Sequence, residues 1–319
     1  MRVVVIGGTG HIGTFLVPRL VNAGHEVIVA SRGKREPYVP HPAWNAVRHI
    51  EIDRRAEDAA GTFGARIAAL EPDAVVDLIC FTPASAQHLV DALQVRQTLL
   101  LHCGTIWVHG RATTVPVTED APRHPFGDYG IQKAAIEQLL LDSARRGAAR
   151  AVILHPGHMV GPGWKPLNPA GHFNPEVFTR IARGELLQLP NDGMETLHHV
   201  HADDVAQAFE LAITQPDAAV GESFHVVSPA PLSLREYAGA MFAHFRQPVR
   251  LEFLPWEEWR HTVTEDDAAA TWDHIAHSPH CSIAKARERL GYAPRYTSLE
   301  AVIESVNSLI VAGMTDRRA

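Results

Sequence analysis

The 319-residue sequence is poor in cysteine and contains no long apolar run. Its cysteines, Cys80, Cys103 and Cys281, are scattered and odd in number, which excludes a disulfide framework and predicts a reducing compartment. Met1 leads directly into a short apolar run without a separate signal segment, and no stretch is long enough to cross a bilayer. We therefore expect a cytoplasmic protein with no membrane partner.

The sequence also lacks an excess of positive charge. Its formal net charge is -7 at pH 7, and its isoelectric point is near 6.3. Proteins that follow nucleic-acid phosphates present a basic surface, so we expect no nucleic-acid partner. Hydrophobic residues make up 46% of the chain, which is enough to form a large core.

The first half of the chain alternates β-branched runs with helical patterns. This alternation predicts an α/β fold, a doubly wound parallel sheet of the Rossmann type with helices on both faces. The predicted strands of this half are 2–6, 27–30, 47–52, 74–79, 98–102 and 151–154, and the predicted helices are 12–23, 64–70, 84–94 and 130–146. Residues 156–175 are rich in Gly, Pro, Asn and His, which predicts a long functional loop. Later elements are predicted as helices near 175–183, 204–214, 233–245, 283–290 and 299–312 and strands near 196–201, 223–227 and 249–254.

A glycine-rich turn joins the first predicted strand to the first predicted helix. Gly7, Gly10 and Gly13 stand where a side chain would keep a pyrophosphate away from the N–H groups at the helix N-terminus. The order of strand, glycines and helix predicts a dinucleotide-binding site, although a purely structural turn is the alternative. The other residues of the turn assigned to this site are Thr9, His11 and Ile12.

A basic segment follows the second predicted strand. A site that prefers NAD would place a carboxylate there, against the ribose hydroxyls, but this chain has Ser31, Arg32, Lys34 and Arg35. Because guanidinium groups suit a 2′-phosphate, NADP is the predicted cofactor and NAD the alternative; a solvated basic loop is the other interpretation. Three residues that follow later strands are also assigned to the cofactor: Asp53, Phe81 and Thr82. An ordinary turn-forming role is equally open to Asp53.

A tyrosine and a lysine spaced four residues apart are the strongest catalytic signal. The chain has only five tyrosines and four lysines, and Tyr129 and Lys133 would lie on one face of a helix. We predict that Tyr129 transfers a proton, and that Lys133 lowers the phenol pKa from its usual value of ~10 and contacts the nicotinamide ribose. Thr105, which follows the strand 98–102, is predicted to polarise the same substrate oxygen. The alternative is a surface tyrosine and lysine without a function.

These motifs resemble the extended short-chain dehydrogenase/reductase family, in its epimerase/dehydratase-like branch, over essentially the whole chain. The matching segments are Gly7–Gly13, Thr105–Gly110, Tyr129–Lys133, Leu154–Gly163, His201–Ala206 and Leu290–Pro294. In Thr105–Gly110, His109 replaces the family's usual tyrosine. The resemblance implies hydride transfer between NAD(P) and a carbohydrate-like or polyol alcohol or ketone. It also implies a homodimer through helices 84–94 and 130–146.

Two departures from the family pattern bear on the substrate. Family members that use nucleotide sugars commonly carry an arginine in the segment that here reads Glu195–His199, and often another at the position of His155, which we assign to the cofactor site. A diphosphate needs fixed cationic donors, so these departures predict a smaller or less charged substrate. Ile106 and Trp107 stand where a dehydratase of the family would have its extra acid and base, so we set that reaction aside.

The predicted organisation is a nucleotide-binding domain and a smaller C-terminal substrate lobe. Residues 1–155 are assigned to the NAD(P)-binding domain, with 190–215 returning to it; 156–189 and 216–312 are assigned to the lobe and 313–319 to a tail. The predicted substrate contacts are Thr105, Trp107, His158, Trp164 and His199. Many histidines cluster in these segments, but their spacing matches no compact ligand signature, so we predict no metal site.

The leading prediction is an NADP-preferring oxidoreductase that acts on a small carbohydrate-like substrate. An epimerase that oxidises a carbon transiently and retains its cofactor would use the same Thr105, Tyr129 and Lys133. From a different class, a non-catalytic cofactor-binding or RNA-binding scaffold is the third interpretation.

Overall fold

The structure, a computed structural model, describes residues 1–315. Its strands are β1 (Arg2–Ile6), β2 (Glu26–Ser31), β3 (Arg48–Glu51), β4 (Ala74–Asp77), β5 (Leu99–Cys103), β6 (Arg150–Pro156), β7 (His158–Val160), β8 (Leu187–Pro190), β9 (Thr196–Leu197), β10 (His199–His201), β11 (Ser223–Val226), β12 (Leu232–Ser233) and β13 (Leu251–Leu254). Its helices are α1 (His11–Asn22), α2 (Arg54–Ala59), α3 (Phe63–Ala68), α4 (Pro83–Leu93), α5 (Gly127–Arg145), α6 (Glu176–Ala182), α7 (Ala202–Thr214), α8 (Pro216–Ala219), α9 (Leu234–His244), α10 (Trp256–Trp259), α11 (Glu265–His277), α12 (Ala284–Leu290) and α13 (Ser298–Val311).

The predicted Rossmann-like sheet is confirmed. Seven strands pair in the order β11-β6-β5-β4-β1-β2-β3, and all their pairings are parallel. In β1, Val3 and Val5 pack into one helical layer, whereas Val4 and Ile6 pack into the other. A strand that is buried on both faces needs apolar side chains at every position, which is why β1 reads as an unbroken apolar run.

The sheet topology corrects one predicted domain boundary. Residues 223–226 were assigned to the substrate lobe, but they form β11, which pairs with β6 at the edge of the main sheet. Phe224 and Val226 belong to the same core cluster as β1 and β5, so burial against the sheet explains the placement. Helix α7 packs on α1. Of the predicted tail, residues 316–319 lie outside the described residues.

The smaller lobe has its own core. Phe178, Tyr237, Phe242 and Trp259 are fully or almost fully buried there, among residues of α6, α9, α10 and α13. Helix α11 was not predicted from the sequence. It begins after Thr264, whose side chain accepts a hydrogen bond from the N–H of Asp267 at 3.1 Å, and its first turn is acidic. Within residues 1–315, no helix is long and apolar enough to span a membrane.

Candidate active site

The carboxyl ends of β1, β2, β3 and β4 open onto a cavity of about 580 Å³. Ten residues that the sequence assigned to the cofactor line it: Gly7, Thr9, Gly10, Ser31, Arg32, Lys34, Arg35, Asp53, Phe81 and Thr82. Arg54 and Arg55 also line the cavity, and neither was predicted from the sequence. Ligands bind at this edge of open parallel sheets.

The glycine turn of this cavity has no room for side chains. Gly7 has φ +80°, and a Cβ atom at Gly13 would lie 2.0 Å from the carbonyl oxygen of Gly8. At Gly10, a Cβ atom would lie 3.1 Å from the oxygen of Gly7. Such a turn lets a phosphate group approach backbone N–H groups closely, so these residues fit a dinucleotide.

Asp53 has the turn-forming role that the sequence analysis left open. One of its carboxylate oxygens accepts a hydrogen bond from the N–H of Ala56 at 3.2 Å and caps α2. Thr82 caps α4 in the same way, through the N–H of Ser85 at 3.3 Å. Both side chains therefore position the start of a helix while they line the cavity.

Tyr129 lies in the first turn of α5, at the end of the sheet, beside Thr105. The residue is 43% exposed, and the Thr105 side chain acts on its hydroxyl. Burial raises the pKa of Tyr129 to about 12, Cys103 acts in the same direction and the Thr105 hydroxyl opposes the rise. The phenol is therefore protonated at neutral pH in this structure.

Lys133 makes buried contacts that were not predicted from the sequence. Its side chain is buried, and its ammonium donates hydrogen bonds to the carbonyl oxygens of Cys80 at 2.8 Å and Cys103 at 2.6 Å, which ties the ends of β4 and β5 together. The ammonium lies 5.9 Å from the Tyr129 ring centre and 5.0 Å from that of Phe81. The pKa of Tyr129 is set here by burial, Cys103 and Thr105, so the lowering of this pKa by Lys133 stays a prediction.

His155 also differs from its prediction as a cofactor contact. It is fully buried, and its Nδ1 accepts a hydrogen bond from the backbone N–H of Thr105 at 3.0 Å. Nε2 therefore carries the proton, which it donates to Glu137 at 3.0 Å. Arg123 donates two hydrogen bonds to the Glu137 carboxylate, at 3.0 and 2.6 Å. The buried His155 ring thus holds the backbone of Thr105 in place. The sequence could not reveal this hydrogen bond, because Thr105 and Glu137 are both distant from His155 along the chain.

A group of aromatic rings, here called the aromatic wall, lies next to Tyr129. It consists of Trp107, Phe126, His158, Phe173, His274 and His277. Trp107 meets the Tyr129 ring edge to face at 5.9 Å. His277 is stacked between Trp107 and Phe126, at 4.1 and 4.0 Å. His274 and His277 come from α11, so the lobe and the sheet domain build the wall together.

Two predicted substrate residues lie elsewhere. Trp164 stacks on His11 at 4.7 Å, and both rings contact Tyr38. His199 is fully buried behind His158, at 5.9 Å, and its ring also contacts Tyr237. In this structure the contacts shown for both side chains are packing contacts with other rings.

One buried group offers three side chains of the types that bind metals: Asp77, Cys80 and His102, whose ligand atoms lie within 4.8 Å of one another. The Asp77 carboxylate, however, forms an ion pair with the buried Arg54. The positive charges of Arg54 and Lys133 both act on Cys80 and His102. Since these charges oppose a bound cation, we interpret the group as part of the buried network below the cavity.

Comparisons with known proteins agree with this architecture. The family model described as "NAD dependent epimerase/dehydratase family" matches residues 3–226. The 2'-dehydrokanamycin reductase of Streptomyces kanamyceticus is 29% identical over 279 residues, which cover 86% of this chain and 76% of that protein. The UDP-glucose 4-epimerase of Azospirillum brasilense is 27% identical, and the aligned residues cover 96% of this chain and 91% of that protein. The solved structure of UDP-glucose 4-epimerase from Thermotoga maritima, at 20% identity, has a TM-score of 0.75 and covers 98% of this chain and 99% of its own, which shows a shared fold.

Proposed function

The chain belongs to the NAD-dependent epimerase/dehydratase family, and from that premise we propose that it is an NADP(H)-preferring oxidoreductase that acts on a carbohydrate-like alcohol or ketone. Its relatives include both reductases and epimerases, and it is an enzyme of the same extended type. The bound cofactor supplies the hydride chemistry; Gly7, Gly10 and the basic residues of the cavity would hold it.

One observation carries the proposal: Tyr129 lies beside Thr105 at the end of the sheet, and the Lys133 ammonium lies between the Tyr129 ring and the ring of Phe81, which lines the cofactor cavity. With a pKa of about 12, Tyr129 remains a phenol at neutral pH. A phenol can donate a proton to a carbonyl oxygen, while the Thr105 hydroxyl donates a second hydrogen bond to that oxygen. A protonated phenol suits the reduction of a ketone, in which the substrate oxygen gains a proton.

The relatives' names support a carbohydrate-like substrate, and they include substrates with and without a diphosphate. The relative from Streptomyces kanamyceticus reduces 2'-dehydrokanamycin, whereas the other named relatives use UDP-glucose. In this chain the segment 195–199 has no arginine, and its His198 is buried between the N–H of Cys281 and the carbonyl of Ser228. We therefore propose a substrate that lacks a diphosphate.

The cofactor preference can be tested at Arg32. Arg32→Ala should weaken NADPH binding about 10- to 100-fold, the value of a charge-assisted hydrogen bond, and should change NADH binding little. Parallel fluorescence titrations with both cofactors measure this. Arg48→Ala, an exposed arginine on β3 outside the cavity lining, is the matched control. Equal affinity of the wild type for NADPH and NADH would contradict the NADP assignment.

The epimerase is the second candidate, because relatives of that activity match most of the chain. A reductase should consume NADPH in proportion to the ketone it converts, whereas an epimerase should interconvert two alcohols without net loss of cofactor. Following NADPH absorbance and sugar products together, with a panel of keto sugars and their alcohols, separates the two. Product formation at constant NADPH would reject the reductase.

Two further proposals concern the cellular compartment and the oligomeric state of the enzyme. The three cysteines are buried free thiols, which favours a reducing compartment such as the cytoplasm. Helices α4 and α5 pack side by side, and we propose that this pair forms the interface of a homodimer.

A further inference from the structure

The cationic side chains of the basic segment after β2 are unpaired. Arg32, Lys34 and Arg35 line the cofactor cavity and are exposed. Within residues 1–315, their side chains form no hydrogen bond or ion pair. A 2′-phosphate that binds here must order long side chains together with their backbone, and the cost of this ordering lowers affinity. Any contact that fixes the segment beforehand therefore strengthens NADPH binding.

Tyr38 fixes the end of the basic segment that is opposite β2. Its backbone N–H donates a hydrogen bond to the Thr14 hydroxyl of α1 at 3.1 Å. Its ring meets the ring of His11 edge to face at 5.7 Å and the ring of Trp164 edge to face at 6.1 Å, measured between ring centres. The basic segment is therefore held at both ends, by β2 and by Tyr38.

His11, Tyr38 and Trp164 form a three-ring cluster that joins three parts of the chain. His11 begins α1 directly after the glycine turn, and Trp164 lies in the loop that follows β7. The rings of His11 and Trp164 are stacked at 4.7 Å with an interplanar angle of 14°. Burial lowers the pKa of His11 to about 4, so its ring is neutral at physiological pH. The cluster is therefore held by ring packing and adds no charge of its own to the cavity.

Helix α13 of the smaller lobe holds the loop that follows β7. The Ser305 hydroxyl accepts a hydrogen bond from the N–H of Gly161 at 2.5 Å and donates one to the carbonyl oxygen of Gly161 at 2.9 Å. The Ser308 hydroxyl accepts a hydrogen bond from the N–H of Gly163 at 3.1 Å. A Cβ atom at Gly163 would lie 2.9 Å from the Cβ atom of Tyr38, so this loop is in close contact with Tyr38. The lobe thus supports the basic segment through this loop.

We infer that the three-ring cluster positions the basic segment for the 2′-phosphate of NADPH, and that Trp164 thereby affects cofactor selectivity although it does not line the cofactor cavity. This role of Trp164 rests on the proposed NADP preference and adds a positioning residue to it. Without the Trp164 ring, Tyr38 loses one of its packing partners, and binding of the 2′-phosphate must then order the basic segment. NADH has no 2′-phosphate and needs no ordered basic segment. The glycine turn, which both cofactors share, keeps its own close packing of Gly13 against Gly8.

Calorimetric titration of the full-length enzyme with NADPH and with NADH tests this inference. Trp164→Ala should weaken NADPH binding about 3- to 10-fold, the value of an aromatic contact, and should change NADH binding less than about 2-fold. Trp164→Phe keeps a ring beside His11 and Tyr38, so it should retain most of the wild-type selectivity. Trp272→Ala, which removes an exposed tryptophan packed on Trp256, is the control and should leave both affinities unchanged.

A double variant tests whether Trp164 acts through Tyr38. Tyr38→Ala should lower NADPH affinity about as much as Trp164→Ala, and the combined variant should lose little more than either alone, as expected for two residues that share one contact. Additive losses would overturn the inference. If Trp164→Ala does not fold, the half-buried Tyr38 provides the same comparison of the two cofactors through Tyr38→Ala.

The ratio of the two affinities separates positioning from a general loss of structure. An equal loss for NADPH and NADH, or the wild-type ratio in a folded Trp164→Ala, would overturn the inference while the NADP preference of the wild type stands. Equal affinity of the wild type for both cofactors would instead contradict the NADP assignment itself, and the role of Trp164 would fall with it.

Discussion

Tyr129→Phe should lower kcat about 10²- to 10⁴-fold, the contribution of a positioned acid or base. The phenol is the acid beside Thr105, and phenylalanine keeps the ring contact with Trp107 while it removes the only proton that Tyr129 could donate. NADPH affinity should stay within a few-fold of the wild type, because Tyr129 does not line the cofactor cavity. Steady-state kinetics with a turned-over ketone, together with an NADPH titration, measure both quantities.

A control variant and the pH dependence of the rate test whether the loss of kcat is due to the Tyr129 hydroxyl. Tyr296→Phe removes another phenol, one that accepts a hydrogen bond from Arg295 far from Thr105 along the chain, and should leave kcat unchanged. Because the Tyr129 pKa is raised, the acid form persists across neutral pH, and titration of this phenol should not lower the reduction rate there. Near-normal turnover by Tyr129→Phe would remove this residue from the proposed chemistry.

Glu137→Gln should reduce the free energy of unfolding by about 3–5 kcal/mol, the usual cost of breaking a buried ion pair by changing one partner. Glu137 is 3% exposed and joins His155 to Arg123, so the substitution leaves Arg123 without its carboxylate and alters the hydrogen bond that supports Thr105. We also expect kcat to fall more than NADPH affinity. Denaturant unfolding at pH 7 and steady-state kinetics check both effects.

The loss of stability in Glu137→Gln should depend on pH, because the Glu137 carboxylate titrates. Burial raises the pKa of Glu137, but its contacts with His155 and Arg123 outweigh burial and hold the pKa well below the usual range. A depressed pKa means that the stabilisation is present above the unfolded value of about 4.3 and is lost as pH falls towards the folded value. The difference between wild type and variant should therefore be constant near neutral pH and shrink below about pH 4.3.

A surface ion pair is the matched control for Glu137. Glu26→Gln breaks the exposed pair with Arg2 and should cost at most about 1 kcal/mol. If Glu137→Gln costs no more than Glu26→Gln, the buried network does not stabilise the fold in the way we describe.

Local sequence was enough to predict the parts of the site that depend on short-range geometry. The glycine turn requires close backbone approach within a few residues, and Gly13 meets Gly8 as such a turn demands. The strands of the sheet are buried on both faces, so their apolar runs were visible as strands, and their bounds shifted only slightly. Helix α11 was missed, although Thr264 followed by Glu265 and Asp266 is an N-terminal capping signal.

Alternating strand and helix patterns were enough to predict the parallel α/β fold, and short-range spacing was enough to predict the dinucleotide turn and the placement of Tyr129 and Lys133 on one helix. The partners of the buried polar groups became visible in the three-dimensional structure. Lys133 bonds two strand-end carbonyls, His155 supports Thr105, and His277 enters the stack with Trp107. Such contacts join residues that are far apart in the chain. These contacts form when the two lobes pack together, so no local sequence pattern predicts them.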